Sequence, residues 1–120
     1  MIINLTPHDI VIYSEQNTVY DPVTRSYKQT GELKELKRFT SQGCARVGSK
    51  EQLVDTIDSI EIYTIKFSQA ENLPVAQDGI YYIVSAIVKN AHPDRKDLLV
   101  PCHSVRNQEN KIIGCLALAR

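Results

Sequence analysis

Short runs of alternating apolar and polar residues recur along the chain, separated by turn-forming residues. In residues 60–67 the alternation has the period of two that is typical of a strand, and both faces of that strand carry apolar side chains. Further strands are predicted at 2–5, 10–13, 80–84, 98–100 and 111–118, bounded by turn residues such as Pro101, which is expected to halt the strand before it.

Two segments predict short helices. Ser49 and Gln52 resemble a capping box, which predicts a helix over 50–57. A second helix is predicted from Ser85 to Ala91, because Pro93 disfavours helix in the residue before it.

The remaining segments join these elements. Residues 14–32 predict a long loop or a loose hairpin, residues 33–39 either a helical turn or a strand, and residues 107–110 a hairpin turn. The pattern as a whole predicts an α+β fold: one small strand-rich domain, residues 1–120, with one or two short helices packed on a mainly antiparallel sheet.

Length and composition agree with one folded domain. The chain has 120 residues, of which 42% are hydrophobic, enough for a single core. No apolar run approaches the length of a membrane span, and the first residues lack the features of a signal peptide. We therefore expect a cytoplasmic protein without a membrane partner, whose three cysteines are reduced thiols.

The charges are unevenly distributed, although the formal net charge is zero. Residues 23–50 are rich in Lys and Arg, whereas residues 51–80 are rich in Asp and Glu. The zero balance argues against binding to DNA or RNA polymers. The local excess of positive charge suits a small anionic ligand or an oppositely charged neighbour. Contact between subunits and pairing within the chain explain the two charged segments equally well.

No pattern of catalytic or metal-binding residues is evident. The histidines His8, His92 and His103 lie far apart and lack the spacing of metal ligands. Cys102 and His103 are adjacent in the chain, and adjacent residues of an extended strand point to opposite faces, which argues against a nucleophile pair. We therefore expect no metal, no cofactor and no enzymatic activity.

Two arginines are candidates for binding an anion. Arg25 and Arg106 both lie in turn-rich contexts, where an arginine is most often a solvated surface charge; the alternative is a guanidinium that binds phosphate with two parallel hydrogen bonds. Because of these contexts, neither is expected to be needed for the core. Tyr27, Tyr81 or Tyr82 would offer a flat surface to a base, although such residues more often belong to a core or a subunit interface. Asn90, at the end of the predicted helix, either caps that helix or binds a sugar, and its residue type favours the cap.

The segment Asn4-Leu5-Thr6-Pro7-His8 groups several hydrogen-bonding side chains around a proline turn. These side chains either lock the turn or contact a ligand, and locking is the favoured interpretation.

Three segments together resemble a known family. They are Asn4–His8 (NLTPH), residues 78–85 (DGIYYIVS), and residues 99–115, which contain Leu-Val-Pro, Val105-Arg106 and Ile-Gly-Cys. In this combination the chain is similar, over nearly its whole length, to the phage anti-Thoeris sponges of the first described class. The resemblance implies a non-enzymatic protein of the host bacterial cytosol that binds glycocyclic ADP-ribose, the signal made by a bacterial TIR-domain enzyme.

The resemblance also implies an assembly and a set of site residues. Members form dimers and hexamers, and some hold cyclic oligonucleotides at a separate site. The family's pocket uses two arginines, which Arg25 and Arg106 match best, with an aromatic residue and an asparagine that correspond to Tyr82 and Asn90. Tyr81 competes with Tyr82 for the aromatic position. An enzyme that degrades the same nucleotide, and a structural or protein-interaction domain of a phage, are the alternatives.

Overall fold

The computed structural model describes all of residues 1–120, which form ten strands and one short helix. The strands are β1 (Ile2–Asn4), β2 (Ile10–Tyr13), β3 (Thr18–Asp21), β4 (Ser26–Gln29), β5 (Glu35–Phe39), β6 (Ser49–Ile57), β7 (Ile60–Phe67), β8 (Tyr81–Ile83), β9 (Leu98–Arg106) and β10 (Ile112–Ala119), and the helix is α1 (Ala86–Ala91).

Eight of the strands form one sheet. Six of them follow the order β1-β8-β9-β10-β2-β5, and the hairpin β3–β4 joins the sheet through the pairing of β4 with β9. The long strand β9 pairs with β10 on one side; on its other side it pairs with β8 near its start and with β4 near its end. The antiparallel ladders β9–β10, β2–β5 and β3–β4 are longer than the parallel ones. The prediction of a small strand-rich domain with a mainly antiparallel sheet is confirmed, and its helical part is α1 alone.

The hydrophobic core lies where β8 and β9 meet α1. The Ser85 hydroxyl caps this helix by accepting a hydrogen bond from the Val88 backbone N–H, which holds Val88 against the sheet. Burial of each large apolar side chain contributes roughly 1.5–3 kcal/mol. The cluster consists of Leu5, Ala45, Tyr82, Val84, Val88 and Leu98. The helix has six residues, and no helix of the chain is long and apolar enough to cross a membrane.

The prediction of a helix over 50–57 is wrong, because these residues form strand β6. Its partner β7 follows a two-residue turn, Asp58-Ser59, in which both φ angles are positive, 51° and 66°. Such a turn matches the twist of a hairpin, and the β-branched residues Val54, Thr56 and Ile57 favour a strand. The capping-box pattern was misleading, because Ser49 and Gln52 lie in the ladder that β6 forms with β7.

The prediction that Pro101 ends a strand is also wrong, because β9 continues through it to Arg106. On one side of β9, β8 pairs only as far as Leu99 and β4 pairs from Val105. That side of β9 is therefore open at Pro101, and proline is tolerated where one side of a strand is unpaired.

Asn4 ties the N-terminal turn to β5. Its side chain donates to the backbone carbonyls of His8 and Phe39, at 2.7 and 2.9 Å. Its Oδ1 accepts from the backbone N–H and the hydroxyl of Thr6, at 2.9 and 2.6 Å. These contacts match the locking role expected for the segment, in which the imidazole of His8 stays exposed.

Gly114 lies in β10 where there is no room for a side chain. A Cβ atom there would lie 2.5 Å from the Tyr13 ring and 2.7 Å from the Val11 carbonyl oxygen. We expect Gly114→Ala to reduce the free energy of unfolding by about 1–3 kcal/mol, since overpacking forces backbone shifts. Thermal unfolding followed by circular dichroism measures this loss, with Gly31→Ala as the control, because a Cβ there meets only the Asn17 side chain. An unchanged Tm for Gly114→Ala would contradict the close packing of β10 on β2.

Candidate anion-binding cleft

Arg25 and Arg106 lie near each other at one end of the sheet. Arg25 lies in the turn between β3 and β4, with φ at 54°, and its exposed side chain makes no hydrogen bond or ion pair in the chain. Arg106 ends β9 and pairs with Lys28 of β4. The Arg106 Nε donates to the hydroxyl of Ser26, the residue after Arg25, at 3.1 Å. The structure therefore brings the two predicted arginines into one neighbourhood.

A cleft of about 560 Å³ opens next to the segments that carry these arginines, although neither Arg25 nor Arg106 is among the residues that line it. One wall is the β3–β4 hairpin, with Asp21, Thr24 and Lys28, and the other is the turn after β9, with Asn107 and Asn110. We call it the hairpin cleft.

Arg106 joins the two walls of the hairpin cleft. Its Nε donates to Ser26 of the β3–β4 hairpin, the element that supplies one wall, and its Nη1 donates to the Asn110 carbonyl oxygen on the other wall, at 2.9 Å. Ser26 is only 2% exposed, so the guanidinium is held on a buried anchor. The Arg106 Nη2 has no hydrogen-bond partner in the chain, which leaves its two N–H groups for a ligand.

The cleft and its surroundings carry a positive charge. Lys28 Nζ lies 3.1 Å from the Asp21 carboxylate, which also accepts the Val23 backbone N–H at 2.9 Å. The Val23 hydrogen bond and then the Lys28 ammonium hold the pKa of Asp21 below its usual value. The Asp21 carboxylate thus stays ionised at neutral pH, and it offsets only one of the three cations Arg25, Lys28 and Arg106.

Tyr82 does not line an open surface. It is 3% exposed and packs in the core cluster with Val88 and Leu98. The neighbouring Tyr81 lines a different cleft, of about 490 Å³, where the Arg120 guanidinium lies 5.4 Å from the centre of its ring. Of the two tyrosines between which the sequence left a choice, Tyr81 is the one open to a ligand.

Asn90 is exposed on α1, and it does not cap the helix. The C-cap residue is His92, whose backbone N–H donates to the Lys89 carbonyl. This helix packs near Leu98 at the start of β9, whereas Arg106 ends that strand. Eight residues of strand separate these points by roughly 26 Å. Asn90 and Tyr82 therefore do not join Arg25 and Arg106 in one site of a single chain.

Several polar residues of the hairpin cleft were not predicted from the sequence. Asp21 and Lys28 belong to a segment predicted only as a loop or loose hairpin, and Asn107 and Asn110 were predicted only as turn residues. The pairing of β4 with β9 joins segments about 80 residues apart, and no local sequence pattern predicts this pairing.

The thiols of Cys102 and Cys115 are poorly suited to act as nucleophiles. Burial raises the pKa of Cys115 to about 11, and it also raises the pKa of Cys102. Both thiols are therefore protonated at neutral pH, and the thiolate is the reactive form. The structure brings no three side chains of His, Cys, Asp and Glu together in a way that would hold a metal.

A two-pronged ion pair lies apart from the hairpin cleft. Arg95 donates from Nε and Nη2 to the two carboxylate oxygens of Asp97, at 2.8 and 2.7 Å, and these bonds lower the pKa of Asp97. The pKa of an aspartate in the unfolded chain is about 3.9. Because the pKa of Asp97 is lower in the folded state, its carboxylate stabilises the fold above that pH. This stabilisation is lost as the pH falls through the folded-state pKa.

We expect Asp97→Asn to be less stable than the parent at neutral pH, and the difference to shrink below about pH 4. Urea unfolding over a pH series measures it. Glu109→Gln is the matched control, because Glu109 lies 3.9 Å from Lys111 in an exposed pair. A stability difference that stays constant with pH would contradict the role given to Asp97.

Comparison with known protein families, curated proteins and solved structures finds no match for this chain.

Proposed function

We propose that the protein is a non-enzymatic sponge of a phage or prophage that acts in the cytoplasm of the host bacterium. It binds a cyclic nucleotide immune signal, glycocyclic ADP-ribose, and thereby blocks TIR-based (Thoeris) defence. The observation that carries the proposal is the Arg106 guanidinium, hydrogen-bonded to both segments that form the hairpin cleft, with its Nη2 free and with Lys28 and Arg25 on the neighbouring hairpin.

A pyrophosphate fits the charge and geometry of this position. Hydrogen bonds from a guanidinium to phosphate are charge-assisted and roughly twice as strong as neutral ones. Arg106 is already fixed by Ser26 and Asn110, so less side-chain freedom is lost when the ligand binds. Arg25 has a free guanidinium on the adjoining turn and is able to close over the second phosphate.

The rest of the ligand also finds partners near the cleft. Asn107 Oδ1 accepts the backbone N–H groups of Glu109 and Lys111, both at 3.0 Å, which leaves its Nδ2 to donate to a ribose hydroxyl. A cleft of about 560 Å³ falls within the roughly 300–1,000 Å³ of small-molecule sites. The exposed Asn90, and Tyr81 as the base-stacking partner, would enter the same site from a second copy of the chain. The proposal therefore includes a homo-oligomer, a dimer or a hexamer.

Sequestration requires tight binding and no bond cleavage. A sponge that competes with a receptor needs nanomolar affinity, about −12 kcal/mol. Binding of the signal in this way needs no cofactor, no metal, no DNA or RNA polymer and no membrane. The proposed function also includes some cyclic oligonucleotides as further ligands at a separate site.

Capture and release of the nucleotide tests the proposal. The protein is incubated with glycocyclic ADP-ribose and removed by filtration, and the nucleotide that it releases on denaturation is identified by mass spectrometry. We expect intact nucleotide in the protein fraction. Recovery of a cleaved product would instead favour a degrading enzyme, and no capture would favour an interaction domain.

A further inference from the structure

Strands β6 and β7 form a separate two-stranded sheet, residues 49–67, which we call the arm. All of β6 and nearly all of β7 is exposed. The radius of gyration is 17.5 Å, whereas a compact chain of this length has roughly 14 Å. A two-stranded hairpin without further packing is at best marginally stable in water, so the arm lacks the contacts that would stabilise it.

The arm exposes large apolar side chains on both of its faces. Directly paired residues of an antiparallel ladder point to the same side, so the register divides the side chains into two groups. One face carries Leu53, Tyr63, Ile65 and Phe67, and the other carries Ile57, Ile60 and Ile62 near the turn. These side chains are between 37% and 63% exposed. An exposed apolar surface of this kind is typical of an interaction site.

The end of the arm is also acidic. Residues 55–62, which we call the arm tip, contain Asp55, Asp58 and Glu61 and no Lys or Arg. None of the three carboxylates forms an ion pair within the chain. The sequence left open that the acidic segment 51–80 forms ion pairs with the basic segment 23–50 of the same chain. No such ion pair occurs within one chain.

A complementary surface lies between the two edge strands of the large sheet. Strands β1 and β5 end the order of the sheet, and they approach each other where Asn4 contacts Phe39. Beyond that point they separate around a cleft of about 690 Å³, which we call the edge cleft. Its lining includes the apolar Ile2, Ile3 and Phe39 and the basic Lys37.

The charges of the edge cleft are suited to the arm tip. Lys37 forms no ion pair in the chain and lies 5.8 Å from the centre of the Phe39 ring. The edge cleft thus combines apolar side chains with a free cation. The arm tip combines apolar side chains with the unpaired carboxylates of Asp55 and Asp58, whereas the Glu61 carboxylate accepts a hydrogen bond from the Tyr63 hydroxyl at 2.6 Å. The open edges of β1 and β5 also present unpaired backbone groups, to which an added strand is able to pair.

We propose that the arm tip of one copy docks in the edge cleft of a second copy. Each chain carries both surfaces. In a twofold dimer, the arm tip of each copy therefore binds the edge cleft of the other. Ile57, Ile60 and Ile62 then pack against Ile2 and Ile3. Asp55, which pairs with Ile62 on that same face, and Asp58 in the turn approach Lys37. This contact builds the homo-oligomer that the proposed function includes.

Reciprocal charge reversal tests the contact in the full-length protein. The first variant, Asp55→Lys/Asp58→Lys, reverses the charge of the docking face of the arm tip, and the second, Lys37→Glu, reverses the charge of the edge cleft. We expect the parent protein to sediment as a dimer or a larger oligomer at micromolar concentration. Each variant alone should self-associate at least about tenfold more weakly than the parent. An equimolar mixture of the two variants should associate again, because each arm tip then meets a cleft of opposite charge.

The control is Lys111→Glu, at an exposed position that belongs to neither surface, and it should sediment like the parent. Circular dichroism confirms that each variant is folded. A monomeric parent, variants that associate like the parent, or a mixture that stays monomeric would overturn the proposal. The test contains no nucleotide, so its failure would leave the binding role of the hairpin cleft to be judged separately.

Discussion

Arg106→Ala is expected to weaken binding of glycocyclic ADP-ribose about tenfold to a hundredfold. The change removes a charge-assisted contact to phosphate worth roughly 1.5–3 kcal/mol. It also frees the two walls of the hairpin cleft, because Arg106 is bonded to Ser26 and to Asn110. Isothermal titration calorimetry of the parent and the variant measures the ratio of their Kd values.

Two further variants separate charge from geometry. Arg106→Lys keeps the positive charge but loses the fork that reaches both walls, so its affinity should lie between those of the parent and Arg106→Ala. Arg25→Ala removes a guanidinium without partners in the chain, so we expect weaker binding with a free energy of unfolding within about 0.5 kcal/mol of the parent. Binding of the parent strength in both alanine variants would contradict the site.

The expectation that neither arginine supports the fold needs a correction for Arg106. Its hydrogen bond reaches the buried hydroxyl of Ser26. Loss of such a bond costs about 1 kcal/mol, so the calorimetry is done well below the Tm of Arg106→Ala.

Asn4→Ala is expected to cause a large loss of stability, roughly 3–5 kcal/mol. The side chain is 1% exposed, and of its four hydrogen bonds to Thr6, His8 and Phe39 the two from Thr6 are buried. Each buried group left without a partner costs about 1–3 kcal/mol. Thermal unfolding should show a Tm lower by on the order of 10–20 °C.

His8→Ala is the matched control for Asn4→Ala. Only the backbone carbonyl of His8 takes part in these hydrogen bonds, so this variant should unfold within a few degrees of the parent. A Tm for Asn4→Ala equal to that of His8→Ala would show that the bonds of Asn4 contribute little.

The elements that could be predicted from the sequence are those with a strong local signal. Strand β7 has clear alternation, and α1 has Ser85 at its start and Pro93 soon after its end. Strand β6 was mistaken for a helix, because Ser49 and Gln52 mimic a capping box while the deciding contact is pairing with β7. The parallel pairs of β1 with β8 and of β4 with β9 join distant segments, and local patterns carry no information about them.

The candidate site was predictable only in part for a similar reason. Arg25 and Arg106 were chosen on residue type and turn context, and the pairing of β4 with β9 places them together. For Tyr82 and Asn90 residue type favoured a core and a helix-capping role, and the resemblance placed them in the pocket. The alternation of β8 places Tyr82 in the core and leaves Tyr81 open, a choice that depends on which face of the strand α1 covers.

The most direct test of the central claim is a titration of the ¹⁵N-labelled protein with glycocyclic ADP-ribose, followed by NMR. We predict that new amide signals replace the old ones in slow exchange, as nanomolar binding requires, in residues 21–29 and 106–110 around the hairpin cleft. Signals of the arm tip should stay where they are. A spectrum that does not change in those two segments, or that changes only around Tyr81 and Arg120, would contradict the assignment of the hairpin cleft as the nucleotide site.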